Sequence, residues 1–479
     1  MNFPMIFSIL GTVFLFESFF IALPCIVSLV YAENVGIDYL IVSILCLLVG
    51  LSLKKIKPKT KVFYAKEGFI AVALSWIFIS IMGALPFVVS GEIKSFTDAL
   101  FETVSGFTTT GATILTDVEA LSKTSLFWRS FTHWIGGMGV LVFLLALMPL
   151  SGGHSFHLMR SESPGPSVGK LVPKVRSTAL ILYGIYIALS IANMIFLLLG
   201  GMTVYEALVT VFATAGTGGF GIYNDSVASF SPYIQWVITI FMLLYGVNFN
   251  FYYMFLIKKP LQGFKITELR YYVGIFIVAS LLIFLNINSR FSSSADALRH
   301  SAFSVASIMT TTGFSTVDFN LWPQFSKSLL IILMFVGACA GSTGGGMKVS
   351  RFIIMAKTVR KELFHLLHPS SIKIIKLDGK SIEHDVIRSV NIFLISYMSI
   401  LMLSFLIVSL DNFSFTTNLT AVITTINNVG PGLDTVGPTG NFSAFSALSK
   451  YVFMFNMLAG RLEIFPMLLI FVPHTWKKQ

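Results

Sequence analysis

Residues 101–111 read Phe101-Glu102-Thr103-Val104-Ser105-Gly106-Phe107-Thr108-Thr109-Thr110-Gly111, a short helix-forming run that leads into a threonine-rich turn closed by glycine. Long apolar segments flank it on both sides. The arrangement returns at Gly216-Thr217-Gly218-Gly219, Thr310-Thr311-Thr312-Gly313 and Asn427-Asn428-Val429-Gly430. Runs such as 101–107 and 302–309 are too short to cross a ~30 Å hydrocarbon core. They are expected to re-enter the membrane, where irregular backbone is tolerated only when buried in protein or facing water. A fourfold unit of apolar helix, half-helix, glycine turn and apolar helix lets one chain set a ring of carbonyls around a membrane axis.

Alignment on the final glycines extends the repeat. Asp98 and Glu206 each stand thirteen residues upstream of the closing glycine, and each precedes an Ala-Leu pair. The third unit has Ala297-Leu298 slightly earlier, and the fourth has only Thr417-Asn418-Leu419, so the similarity fades along the chain. A single Thr-Thr-Gly in a membrane protein is more often a helix end or packing site. Four in register, each between two spans, favour a ring in which glycine supplies positive φ and threonine adds an oxygen without charge. The candidate cation-coordinating residues are Thr109, Thr110, Gly111, Thr217, Gly218, Gly219, Thr311, Thr312, Gly313, Asn428, Val429 and Gly430.

Composition agrees. Hydrophobic residues make up 55% of the 479 and charged residues 11%, with mean hydropathy +0.82, which defines an all-α polytopic membrane protein. Ten spans are expected near residues 3–30, 38–54, 68–90, 126–150, 178–200, 232–257, 272–288, 328–357, 389–410 and 449–473, the first retained rather than cleaved. Two N-terminal helices (1–66) then precede four membrane-pore-membrane repeats around a central ion pore, at 67–152, 153–259, 260–380 and 381–479.

Of the 33 Lys and Arg residues, 25 fall in segments 54–66, 160–176, 258–270, 348–388 and the tail. These lie on one side if the spans alternate, which makes that side and both termini cytoplasmic. The opposite loops carry thirteen acidic residues against seven basic ones. Residues such as Asp98, Glu102, Glu206, Asp225, Asp296, Asp318 and Asp434 would therefore concentrate cations at the entrance, unless they are ordinary solvated loop groups. Basic residues spread over separate loops signal topology, so the +11 net charge does not indicate nucleic-acid binding. Cys25, Cys46 and Cys339 suit core packing. His154 and His157 lack a cluster that would complete a metal site, and no catalytic constellation stands out within the spans.

Span 328–357 is interrupted by Cys339-Ala340-Gly341-Ser342-Thr343-Gly344-Gly345-Gly346-Met347. Glycine costs roughly 1 kcal/mol relative to alanine in a helix, so the span breaks there. A phosphate-binding loop is excluded because Met347 stands where lysine is required and no strand precedes it. Small-residue helix packing is the bland alternative; a gating loop of Gly341, Ser342, Thr343, Gly344, Gly345 and Gly346 is the functional one. Arg461 is read as the only basic residue deep within a span, a pore charge or a partner of a carboxylate on another helix.

These stretches, with His133-Trp134-Ile135-Gly136-Gly137-Met138-Gly139, Pro164-Gly165-Pro166 and Gly460-Arg461-Leu462-Glu463-Ile464-Phe465-Pro466, resemble the Trk/Ktr/HKT potassium transporters over essentially the whole chain. The two extra N-terminal spans are similar to the TrkH branch. The resemblance implies one selective, gated, channel-like potassium pore per chain, a homodimer, and cytosolic nucleotide-binding TrkA-type subunits that control opening. It also implies a bacterial inner-membrane location, potassium as the transported ion with no organic cofactor, and Arg461 just under the filter. The resemblance further implies a preference for potassium over sodium, since members that favour sodium often have serine at the first turn and this chain has glycine at all four turn ends. A proton- or sodium-coupled symporter is the alternative, and it would use intramembrane carboxylates, of which Glu17 and Glu463 lie clearly within spans.

Overall fold

The computed structural model describes residues 1–56, 65–139, 175–371 and 374–476. Helices account for nearly all regular structure. Among the described residues the one β-ladder is a two-stranded hairpin, Lys376–Leu377 with Lys380–Ser381. Its turn is Asp378-Gly379, both residues at positive φ, as a two-residue hairpin turn requires.

Among the described residues, six helical segments are long and apolar enough to span a bilayer: Phe3–Tyr31, Gly36–Lys54, Lys66–Val89, Ser177–Leu199, Thr267–Arg290 and His384–Asp411. The first two form an N-terminal hairpin that is close because glycines face each other. A Cβ added at Gly11 would stand 2.9 Å from the Gly50 carbonyl. The other four spans each open a repeat.

A buried half-helix follows each of these four: Phe96–Phe107, Val204–Ala215, Ser294–Met309 and Phe415–Ile426. Ser95, Thr203, Ser293 and Ser414 cap their N-termini by accepting backbone N–H bonds. The repeated acids have a local explanation here. Glu206 closes a capping box with Thr203, and Asp98 holds the same third position after Ser95.

The second helix of every repeat is short: Lys123–Met138, Pro232–Gly246, Gln324–Phe335 and Ala447–Arg461, of 12 to 16 residues. The sequence predicted continuous spans at 126–150, 232–257 and 449–473, with one break in the eighth. The structure interrupts them instead. The chain bends 87° between Pro232–Gly246 and Phe249–Leu256, and Glu463 and Ile464 take φ of 59° and 68° before Phe465–Phe471. In the first repeat the helix ends at Met138, with Gly139 at φ 81°. The breaks fall where each second helix reaches a turn. A Cβ on Gly136 or Gly460 would overlap the last carbonyl of its own repeat's half-helix, Phe107 or Ile426. The expectations for 140–150, His154, His157, Pro164-Gly165-Pro166, the basic residues of 160–174, Lys57, Lys59, Lys61, Lys477 and Lys478 lie outside the described residues.

Candidate functional site

All four half-helices end in the same C-terminal motif. The N–H groups of Thr110, Gly218, Thr312 and Val429 donate to the carbonyls five residues back, at 2.8 to 2.9 Å. Those of Thr109, Thr217, Thr311 and Asn428 donate three residues back. This is the Schellman cap, which needs one left-handed residue, usually glycine. Here that residue is Thr109, Thr217, Thr311 or Asn428, with φ of 54°, 54°, 58° and 55°. The closing glycines follow two residues later at 78°, 79°, 84° and 97°. Left-handed backbone thus recurs at every second residue, and this alternation turns successive carbonyls to one side.

Glycine signals the second of these positions in the sequence. The first has no such signal in the three repeats where it is threonine, because a β-branched residue at positive φ is an outlier and costs of order 1–3 kcal/mol. The side chains there are engaged. The Thr311 hydroxyl accepts from the Gly345 N–H at 2.7 Å, the Thr109 hydroxyl accepts from Arg461, and the Asn428 amide donates to the Thr110 hydroxyl and the Met457 carbonyl.

The turns close into a ring in chain order. A Cβ on Gly111 would overlap the Gly218 carbonyl, one on Gly219 the Thr312 carbonyl, and one on Gly313 the Val429 carbonyl. One on Gly430 would lie 2.7 Å from the Thr110 carbonyl. Each glycine therefore lets the carbonyl just before the next repeat's glycine come into contact. On one side of the ring a cavity of about 140 Å³ touches all four glycines. On the other, a cavity of about 60 Å³ is bounded by Gly341, Gly344, Gly345, Lys348, Arg461 and Glu463, among others. The half-helix C-termini, where partial negative charge collects, converge on the ring and favour a cation there.

The glycine-rich segment lies against this inner side. Gly345 packs on Asn427 and Asn428, and Gly344 on the Thr310 carbonyl. Its Cys339 N–H donates to the Gly246 carbonyl, and the Gly341 carbonyl accepts from Phe249 N–H across the bend of the second repeat. Lys348, buried at 1% exposure, donates to the Gly344 and Gly345 carbonyls. Arg461 donates to the Thr343 carbonyl at 2.8 Å, the Thr109 hydroxyl at 3.2 Å, and the Gly136 and Gly137 carbonyls. It thereby joins the first turn, the first repeat's second helix and the loop. Glu463 pairs with Arg351, not with its near neighbour in sequence.

Arg461 is not the only deeply placed basic residue. Lys348 and Arg351, assigned by sequence to a cytoplasmic loop, are buried, as is Arg129. Glu102, assigned to the acidic entrance, is 1% exposed and held by Arg129 at 2.6 Å, Thr113 and the Ile114 N–H. Arg129 reaches on to the Gly221 carbonyl and lies 3.5 Å from the Phe220 ring, clamping repeat one to repeat two. His133 does the same: its Nδ1 donates to the Gly106 carbonyl at 2.7 Å and its Nε2 accepts from Phe220 N–H, which fixes a neutral tautomer. Asp98 pairs with Lys450, and Asp296 with Arg299. Asp434 and Asp225 remain exposed, and the Ser414 and Thr417 hydroxyls hold the Asp434 carboxyl below its usual range. No metal-ligating cluster of His, Cys, Asp and Glu occurs among the described residues.

Re-entrant half-helices, broken second helices and a closed ring define a multi-pass helical membrane protein of four repeats around a central ion pore. The chain belongs to the TrkH family, described as cation transport proteins, which it matches over residues 37–291 and 273–478. It is 34% identical to the Trk system potassium uptake protein TrkH of Escherichia coli K12, over 100% of both chains. It is 31% identical to TrkG of the same strain, over 95% of this chain and 94% of that one. The crystal structure of the potassium transporter TrkH from Vibrio parahaemolyticus superposes with a TM-score of 0.90 at 31% identity, covering 100% of each chain. The family's activity is transport, not catalysis.

Proposed function

We propose that this protein takes up potassium across the bacterial cytoplasmic membrane through a gated, channel-like pore whose filter is the ring of four turns. One observation carries the reading. Four left-handed caps, one from each repeat, meet glycine to carbonyl in a closed cycle, so that the backbone offers oxygens to a dehydrated cation from four sides. Thr109 to Gly111, Thr217 to Gly219, Thr311 to Gly313 and Asn428 to Gly430 supply the filter, residues 341–346 the gate, and Arg461 a fixed positive charge beneath the filter. Residues 67–152, 153–259, 260–380 and 381–479 are the repeats. Both termini face the cytoplasm in this reading, which the distribution of basic residues supports. A homodimer and control by nucleotide-binding TrkA-type subunits are carried over from the family resemblance.

Ion-coupled symport is the less supported mechanism. The buried carboxylates nearest the ring and loop are already engaged, Glu102 by Arg129 and Glu268 by backbone amides. Currents through the protein in planar bilayers test the choice. The reversal potential is expected to follow the potassium gradient and to stay in place when pH or sodium changes; a shift with either ion establishes coupling and rejects the channel-like mechanism.

A further inference from the structure

Glu268, the second residue of the span that opens the third repeat, is 5% exposed. Its Oε1 accepts two backbone N–H bonds, from Ala340 at 2.8 Å and from Ser350 at 2.9 Å. These residues are the two feet of the glycine-rich loop, one just before Gly341 and one just inside the helix Val349–Leu367. A single oxygen therefore bridges both ends of the loop, beside the direct backbone bonds that pair its flanks, Gly337 N–H to the Met347 carbonyl at 2.9 Å and Val349 N–H to the Ala338 carbonyl at 3.3 Å. The adjacent Thr267 N–H donates to the exposed Asp378 at 2.7 Å, in the turn of the Lys376–Ser381 hairpin. Lys357, on the helix leaving the loop, donates to the Lys376 carbonyl of the same hairpin at 2.7 Å. A continuous route of hydrogen bonds thus runs from an exposed hairpin, through the start of one span, to the base of the loop.

We propose that Glu268 is the positioning residue that keeps the loop closed, and that the hairpin at 376–381 is the lever by which events outside the membrane reach it. The proposal rests on reading residues 341–346 as the gate. Glu268 acts through its acceptor oxygen and not through its charge, since both partners are neutral amides meeting one atom. Pulling the hairpin away from Thr267 shifts the first turn of the span and withdraws the acceptor that Ala340 and Ser350 share, which leaves only the direct bonds between 337–338 and 347–349 to hold the feet.

The test is potassium and sodium flux into vesicles reconstituted with the full chain. E268Q keeps Oε1 and is expected to keep the pore closed nearly as well as the native protein. E268A loses the acceptor of both bonds and is expected to raise basal potassium flux roughly thirtyfold, the weight of about two net hydrogen bonds, with the potassium-to-sodium ratio unchanged. D378A, at an exposed site, should act in the same direction by a smaller factor. Equal behaviour of E268Q and E268A overturns the acceptor role, and a silent D378A overturns the lever. If E268A does not fold, amide hydrogen exchange decides: the Ala340 and Ser350 amides must be protected in the native protein and lose protection in D378A, and unprotected native amides overturn the clamp. Deletion of 341–346 separates the two readings. Raised flux on deletion with a silent E268A sinks the clamp alone, whereas unchanged flux on deletion removes the gate and the clamp with it.

Discussion

Two stretches of glycine-rich, irregular backbone meet at membrane depth, and they are held in opposite ways. Each turn of the ring is fixed by its own half-helix through two backbone bonds, and then by contact between its glycine and the next repeat's carbonyl. The loop at 339–347 has no helix of its own to close it: backbone bonds join it to its flanks and to the second repeat, and side chains hold the rest, from Glu268, Thr311, Lys348 and Arg461. Undoing the ring means unwinding helices. Loosening the loop means losing side-chain bonds one at a time, each worth about 1 kcal/mol. Similar composition thus yields a ring held by its own helices in one place and a loop held by contacts from other elements in the other, the difference expected between a selector and a releasable stop on the function proposed above.

The largest effect should come from breaking the fixed half. Serine at Gly111 or Gly219 places a Cβ on a neighbouring carbonyl at a left-handed position, so the backbone must move. Gly430→Ser meets its carbonyl at 2.7 Å, a milder overlap. Vesicle flux assays are therefore expected to show a marked loss of potassium preference for Gly111→Ser and Gly219→Ser and a smaller one for Gly430→Ser. Unaltered selectivity in all three removes the turns from the filter.

The fixed half was also the legible half. Four glycines in register announced the turns, and composition announced the class, because both follow from local rules of chain geometry and burial. The left-handed Thr109, Thr217 and Thr311 carry no such signal, since nothing in a threonine shows that tertiary contacts will force it into a strained cap, whereas Asn428 is of a type that takes left-handed backbone readily. Breaks in the second helices were seen only where glycines cluster, at 341–346. The 87° bend after Gly246 and the turn at Glu463-Ile464 depend on what the chain meets at the ring, which one segment's hydropathy does not encode. Glu268 and Lys348 carry no sign of their burial for a related reason: each stands where a span meets irregular sequence and so resembles a loop residue. The hairpin turn Leu377-Asp378-Gly379-Lys380 did carry a local signal, although its contact with Thr267 did not.

Arg461 touches both halves and sharpens the contrast. Its planar fork spans the Thr343 carbonyl on the loop and the Gly136 and Gly137 carbonyls on the first repeat, which a lysine ammonium cannot reproduce from one point. Arg461→Lys is therefore expected to keep the charge but release part of the loop, raising flux by a few-fold with selectivity preserved. Arg461→Ala removes both, so flux should rise further and the potassium-to-sodium ratio should fall. If alanine instead lowers the melting temperature in detergent while flux per molecule is unchanged, the residue is structural.

The smallest effect isolates a single bond between the two halves. Thr311 and Thr217 occupy the same left-handed position of their turns, with φ of 58° and 54°. Their hydroxyls differ in what they serve. That of Thr311 accepts the Gly345 N–H at 2.7 Å, tying the loop to the ring, whereas that of Thr217 donates to its own Gly216 carbonyl at 2.6 Å. Valine keeps the β-branched shape and the same backbone cost at both sites, so the substitution deletes only the hydroxyl. Thr311→Val is expected to weaken the closed loop by about 1 kcal/mol, a roughly fivefold rise in basal flux, and Thr217→Val should leave basal flux where it was. Single-channel recording reads this directly as open probability. Equal rises in the two variants would mean that the hydroxyls act on the passing ion rather than on the loop, and the division between a self-held ring and a side-chain-held stop would then fail at the contact where it is most finely drawn.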